Sequence, residues 1–569
     1  MKNSASLKAI GATCAVLAIL TSCKREDGAA PSGSGGASAM TGGSVNGAGG
    51  ANSGGTSAAG SGGLGGMPGQ GAGAAGAPVS GGSAGMGQGG QAGMNPGSAG
   101  QAGSAGAPSS KCGQESARPV VEIDADLTSS RTWTCDKIYL LNRPINVVGT
   151  VESRTVLTIE PGTLIRGAKG VMGQVLPGAL IVTRTGQLIA DGTREEPIVF
   201  TSNVPVGQRS PGDWGGVILL GRGPNNVGET NVEGVPQGEV TKHGAPLGSA
   251  DHAWNCGVMR FVRIEFSGFI LTGSKEINGL TLGSCGYETT IDHIQVHRGS
   301  DDGVELFGGV PDLKHVVITG AQDDSLDWDQ GYSGRIQYLV AQLHPGDADK
   351  AIEADNNEKA PLAVPISTPR LFNLTLIGVN LGGALPTSSV GITLRNGSHG
   401  SIRNSIIMGF DAGALDVAGN ESEAALQTAR LSVENSIFVG VPGKLFPTGS
   451  DDKADNDLIE SDFFAKFAFS NRSFADAAEA SAASLLPDPF HLSSPNWVPI
   501  SNSPAASMAE APSELPLEGY AGAGAGGAGG AGAITPQRPP FFDLEATFVG
   551  AFEPGGNNWA EGWTAFPPN

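Results

Sequence analysis

Two stretches decide the fold: 300–307 SDDGVELF and 322–329 QDDSLDWD. Asp301 recurs as Asp323, Asp302 as Asp324 and Glu305 as Asp327, each 22 residues on. The strand ahead of each block recurs with the same spacing, as His293-Ile294-Gln295-Val296, then His315-Val316-Val317-Ile318, then Gln337-Tyr338-Leu339-Val340. A further block, 351–356 AIEADN, aligns Glu353 with Asp327 at a spacing of 26. A fixed register of that length, with insertions at turns, is what one coil of a parallel β-helix requires. Each strand then pairs with its copies about 4.8 Å above and below.

Outward from these blocks the pattern continues. Short β-branched runs such as 155–160 TVLTIE, 197–201 PIVFT, 216–220 GVILL, 371–377 LFNLTLI and 431–438 LSVENSIF alternate with Gly, Asn and Asp. No amphipathic helices lie between them, which excludes a doubly wound α/β fold, and the repetition favours a solenoid over a sandwich. The expected fold is all-β, a right-handed parallel β-helix over 111–451. Residues 452–569 break the repeat and are expected to form a C-terminal helix and loop cap with a tail, including a disordered loop at 521–533. Apolar residues at helical spacing over 456–485 suit a cap on the last open edge of a solenoid.

The stretches 155–163 TVLTIEPGT, 187–201 QLIADGTREEPIVFT, 213–221 DWGGVILLG, 260–268 RFVRIEFSG and 275–309 carry a resemblance, as does the ending 548–566 FVGAFEPGGNNWAEGWTAF. They resemble an uncharacterised family of bacterial secreted β-helix lipoproteins in the pectin-lyase-like superfamily. The resemblance covers roughly 120–569 and implies the fold; it brings no biochemical activity with it.

The N-terminus reads as an export signal over 1–22. Lys2 and Lys8 precede a 12-residue apolar run, 9–20, too short to span a bilayer. It ends in Leu20-Thr21-Ser22-Cys23, which resembles a bacterial lipobox and implies lipidation of Cys23. Two or more acyl chains make a stable anchor. The linker 23–110 is almost wholly Gly, Ala and Ser from residue 28 onward, with no charge or aromatic there. Such a chain cannot bury enough apolar surface to order itself, so it is expected to be a disordered stalk of roughly 50 Å root-mean-square span. The expected location is the cell envelope, at the outer membrane or cell surface, with the membrane as partner through the lipid.

The first 110 residues carry a net charge of +2 and the whole chain −21, so the remainder carries −23. That balance disfavours nucleic acid and anionic lipid as partners, leaving cations and neutral or cationic glycans. Beyond Cys14 and Cys23, four cysteines remain: Cys112, Cys135, Cys256 and Cys285. An even number in an exported chain implies disulfides, and four allow three pairings; the shortest loops favour Cys112–Cys135 and Cys256–Cys285.

Alternation turns Val304, Leu306, Leu326, Trp328, Ile352 and Ala354 inward. It stacks Glu305, Asp327 and Glu353 in one outward ladder, with Asp329 and Asp355 beside it and Asp301, Asp302, Asp323 and Asp324 on the adjoining turn. Carboxylates so stacked repel unless a cation binds or some stay protonated, and calcium prefers oxygen-rich sites. Glu305, Asp327, Asp329, Glu353 and Asp355 are therefore candidate calcium ligands. Asp302 and Asp324 also suit turns in which their carboxylates accept backbone N–H groups. With Asp327 they are the candidate catalytic acids if the protein is a polysaccharide lyase or glycoside hydrolase, with Lys350, Arg395 and Arg403 as candidate bases. His297 and His315 show no His or Cys partner at metal-site spacing, and Trp214 and Trp328 read as core. The functional expectation is a monomeric, calcium-compatible surface protein that binds glycan or matrix. The alternatives are an enzyme using the acidic column, or a purely structural envelope protein.

Overall fold

The computed structural model describes residues 111–568, except 273–274, 347–348, 381–388, 442–444, 447–459, 461–469 and 515–537. The expected signal peptide, Cys23, the linker 23–110, the loop 521–533 and residues 456–459 and 461–469 of the expected helix over 456–485 lie outside the described residues; the rest of that span holds a short strand, Arg472–Phe474, and a short helix, Ala477–Ala482.

The short β-branched runs form a right-handed parallel β-helix. One 17-stranded and one nine-stranded sheet run its length. The larger sheet makes two faces of each coil. Gly257–Glu265 pairs in parallel with Thr290–His297, which pairs with Asp312–Thr319, then Arg335–Gln342, then Arg370–Ile377. The smaller sheet makes the third face, stacking Val217–Leu220, Leu280–Gly283, Val304–Phe307, Leu326–Asp329, Lys350–Ala354 and Val390–Leu394. Residues such as Ile291, Leu313 and Ile336, Ile294, Val316 and Leu339, and Val304, Leu326 and Ile352 fill one continuous core from the three faces. Trp214 and Trp328 are buried in it, as expected.

The two faces of the larger sheet meet at a one-residue corner in the left-handed region. Phe261, His293, His315, Tyr338, Asn373, Asn404 and Asn435 all have φ between 49° and 63° there. Asn tolerates this conformation and bulky residues rarely adopt it. The aromatic members offset the strain by stacking: Phe261 on His293 at 4.3 Å, His293 on His315 at 4.2 Å, His315 on Tyr338 at 5.0 Å. This corner corrects one expected register. His315 stacks on Tyr338, since Lys314 pairs with Gln337 and Val316 with Leu339. The coil is one residue longer than the sequence alignment of His315 with Gln337 assumed.

Two corrections concern the C-terminal part. The parallel sheet continues past 451, because Arg472–Phe474 pairs with Ile437–Val439. The tail is also more than an end cap, running back along the outside of the larger sheet. Gly550 N–H donates to Asn404 O at 2.8 Å, Asn373 Nδ2 to Phe548 O at 2.7 Å and Gln295 Nε2 to Ala565 O at 2.7 Å. Arg194 reaches Glu561 O at 2.5 Å. Trp497, Val549, Phe552 and Trp563 bury against the outward Val317, Val340, Ile377 and Ile406, making a second core. The sheet's outer apolar residues are thus removed from water, the usual reason such a face is covered.

Disulfides join Cys112 to Cys135 and Cys256 to Cys285. Among the described residues, no helix is long and apolar enough to cross a membrane.

Candidate functional site

The third face carries the acids. Register confirms the column: Thr281 pairs with Glu305, Glu305 with Asp327, Asp327 with Glu353 and Glu353 with Thr393. Toward the N-terminus the same column continues as Ile218 and Ile181. There it is apolar and covered, as Ile181, Ile218 and Leu220 pack with Val232, Val235, Phe269, Ile277 and Phe307. The covering residues come from the excursion between Leu220 and Gly257 and from the hairpin Phe269–Thr272 with Lys275–Ile277.

The ladder faces away from the core, as alternation requires, but it is not a solvated surface. Glu305 is 6% exposed and Glu353 8%, while Asp302 and Asp324 on the adjoining turn are 5% and 2% exposed. Asn226 of the excursion donates to Asn356 O at 3.0 Å, and Asn357 donates to Asn226 Oδ1 at 3.0 Å. The loops on either side of the acidic strands therefore meet.

The turn acids have a structural task. Asp302 Oδ1 accepts from Asp324 N at 3.0 Å, and Asp324 Oδ1 accepts from Lys350 N at 2.8 Å. Asn278 Oδ1 accepts from Asp302 N at 3.2 Å in the coil before. Each side chain ties down the backbone of the next coil, a longer-range version of the turn bonding the sequence suggested. Each uses Oδ1 for this bond.

Five trios of potential ligand atoms lie within 4.8 Å of one another among the described residues, and four of them are purely carboxylate. Asp302, Glu305 and Asp327 form one, and Asp324, Asp327 and Glu353 form another. Asp327 belongs to both. Its Oδ1 is buried without a hydrogen-bond partner, whereas Glu305 Oε2 accepts from Asn278 Nδ2. Burial, then the neighbouring carboxylates, push Asp302, Glu305, Asp324 and Asp327 well above the usual carboxylate range. Burial lifts Asp301 to about 9 and Asp329 to about 7.

Other candidates are drawn elsewhere. Glu353 is held by Arg395 and by Lys350 Nζ at 2.9 Å. Asp355 accepts from Arg395 Nε at 2.9 Å and from Asn396 Nδ2 at 3.0 Å. Asp329 and Asp355 join none of the trios, so of the five expected ligands Glu305, Asp327 and Glu353 converge and these two do not. The candidate bases are also engaged. Lys350 lies 3.7 Å from Asp324 and 2.6 Å from Asp349 as well, and Arg403 pairs with Glu434 at 3.1 Å. The acids around Lys350 and Arg395 hold both above their ordinary values despite burial. A general base needs the opposite shift. A cavity of about 590 Å³ opens at the N-terminal end of the solenoid, lined by Gln114, Glu115, Arg118, Ile138 and Arg166, not beside the column.

The histidines correct the sequence reading. His297 is buried, and burial lowers it to about 3; it lies 2.7 Å from Thr319 Oγ1 and 3.0 Å from Pro567 O. His315 does have a histidine partner, His293, stacked on it one coil away. Both Nδ1 atoms approach Asp292 Oδ1, at 2.9 Å from His293 and 2.8 Å from His315. The missed signal was the coil period itself. Ligand pairs on a helix sit three or four residues apart, but on a solenoid they sit one coil apart.

A family model described as a pectate-lyase-like beta helix domain matches residues 125–481, and the chain belongs to that family. No curated protein and no solved structure matches it.

Proposed function

We propose that this pectate-lyase-like β-helix protein is a lipid-anchored envelope protein that binds calcium in its acidic column and engages a glycan or matrix polymer there. The observation that carries the reading is Asp327, the shared member of two convergent carboxylate trios, with a buried oxygen that has no hydrogen-bond partner among the described residues. A buried unpaired carboxylate oxygen is costly, and like charges on successive coils add to that cost. Calcium takes six to eight oxygens in flexible geometry, which suits the carboxylates gathered around Asp327. Fold membership makes a carbohydrate partner the natural class, by analogy. The lyase alternative asks for a base of lowered pKa beside the acids, and Lys350, Arg395 and Arg403 are all ion-paired.

Calcium titration followed by thermal melting tests this. Calcium should raise the melting temperature of the wild type, since a ligand that binds only the folded state stabilises it. Asp327→Asn should abolish most of that rise while leaving the fold intact. A wild-type melting temperature indifferent to calcium, with Asp327→Asn itself stabilising, would leave the column a tolerated repulsive surface. The anchor is tested separately. Cys23→Ser should shift the protein from the membrane fraction to precursor or soluble forms; unchanged fractionation would reject it.

A further inference from the structure

We infer that Asp292, His293 and His315 form a second cation site, for a borderline ion of the zinc, cobalt(II) or nickel(II) class, beneath the C-terminal segment. Asp292 Oδ1 lies 2.9 Å from His293 Nδ1 and 2.8 Å from His315 Nδ1, so three donor atoms from two successive coils converge on one point. His315 makes a hydrogen bond to that oxygen. His293 Nδ1 does not: it is buried and has no partner in hydrogen-bonding geometry. His293 Nδ1 thus lies against the same oxygen, at 2.9 Å, in a geometry short of a hydrogen bond.

The corner does not need imidazoles for its own sake. Phe261 and Tyr338 continue the same stack above and below without a ring nitrogen, and Asn373, Asn404 and Asn435 take the same backbone conformation with an amide. The two histidines stand where Asp292 is in reach, while the Tyr338 hydroxyl donates to Asp543 at 2.8 Å. Two further cations lie about Asp292: Arg260 Nε, 3.9 Å from Oδ2, which pairs more closely with Asp191 at 2.9 Å, and Lys314, its neighbour in strand register. Two imidazoles and one carboxylate select borderline transition ions, where the all-oxygen column selects calcium. An ion held here would sit about 2.0–2.2 Å from each of the three donors. Trp559 meets His315 edge-on at 5.1 Å, and Trp563 meets His293 at 5.7 Å, so the tail walls the site.

Cobalt(II) titration of the whole protein, watched by visible d–d absorption, tests the site. One saturable equivalent is expected, displaced by zinc. Its spectrum should vanish in His315→Gln and persist in Asp327→Asn, which separates this site from the acidic column. His315 is part of a stack, so its replacement can loosen the corner. The wild type therefore supplies a second reading: bound cobalt should quench Trp559 and Trp563 fluorescence, and Trp559→Phe should lose a large share of that quenching while retaining the spectrum. Absence of a saturable equivalent in the wild type overturns the inference. So does a spectrum unchanged in folded His315→Gln, or quenching unaltered in Trp559→Phe.

Discussion

The two outer sides of this solenoid are built by the same rule and solve opposite problems. On both, register stacks like residues on successive coils. At the corner of the larger sheet the stacked groups are rings, which attract: Phe261, His293, His315 and Tyr338 lie 4.2–5.0 Å apart. The C-terminal tail then buries them and the neighbouring aliphatics in a second core. On the third face the stacked groups are carboxylates, which repel, and Glu305 and Glu353 are nevertheless buried with Asp327 half-buried between them. Lys350 and Arg395 answer part of the charge at the C-terminal end, and Asp327 is left over. Stacking is therefore neutral in itself. Side-chain chemistry decides whether a ladder stabilises the coil or asks for a partner.

The largest effect should come from the covered side. Trp563 is fully buried in the second core, and Trp563→Ala should cost about 3–5 kcal/mol. Denaturant unfolding reads this, and a loss under 1 kcal/mol would mean that the tail merely rests on the sheet. Next comes Arg395→Ala, which leaves Glu353 to Lys350 and Asp355 to Asn396. Because Arg395 is 30% exposed, the loss should be about 1–2 kcal/mol at neutral pH rather than the larger cost of breaking a fully buried pair. It should shrink in acid, where these acids take protons; an equal loss at both pH values would show that packing, not charge, holds Arg395. Smaller still, Asp327→Asn without calcium should stabilise by about 1 kcal/mol, the order of one relieved repulsion. Destabilisation there would mean that Asp327 has a partner after all.

The finest distinction is in pH. A carboxyl raised by folding contributes stability that is present below its unfolded value and lost as pH rises through its folded value. Asp329, at about 7, and Asp301, at about 9, should therefore weaken the calcium-free protein as pH climbs from about 4 toward 9. His297, lowered to about 3, acts in the other direction. It is stabilising while neutral, and that contribution is lost as pH falls from about 6.5. Melting curves across pH should flatten on the alkaline side in Asp301→Asn and on the acid side in His297→Gln. If either substitution flattens the opposite arm, the assignment of the two sides is wrong.

The sequence by itself determined the coil. The 22-residue recurrence of Asp301, Asp302 and Glu305 and the 26-residue step to Glu353 gave strand pairings that the structure repeats, because side-chain period and strand register are local properties of a repeating chain. Alternation likewise separated Val304, Leu326 and Ile352 from Glu305, Asp327 and Glu353. The resemblance to secreted β-helix proteins named the architecture. The slip at Tyr338 was not legible, since one extra residue in a turn leaves the apolar pattern on both sides nearly intact.

Only the tertiary structure decided what lies over each face. Which acids converge, that Arg395 takes Glu353 and Asp355, that His315 reaches Asp292 one coil back, and that the tail runs from Asn404 back to Arg194 are contacts between residues far apart along the chain. Periodicity says which way a side chain points from its own strand. It carries no information on which distant segment arrives to meet it, because that depends on loop paths set by the whole packed molecule.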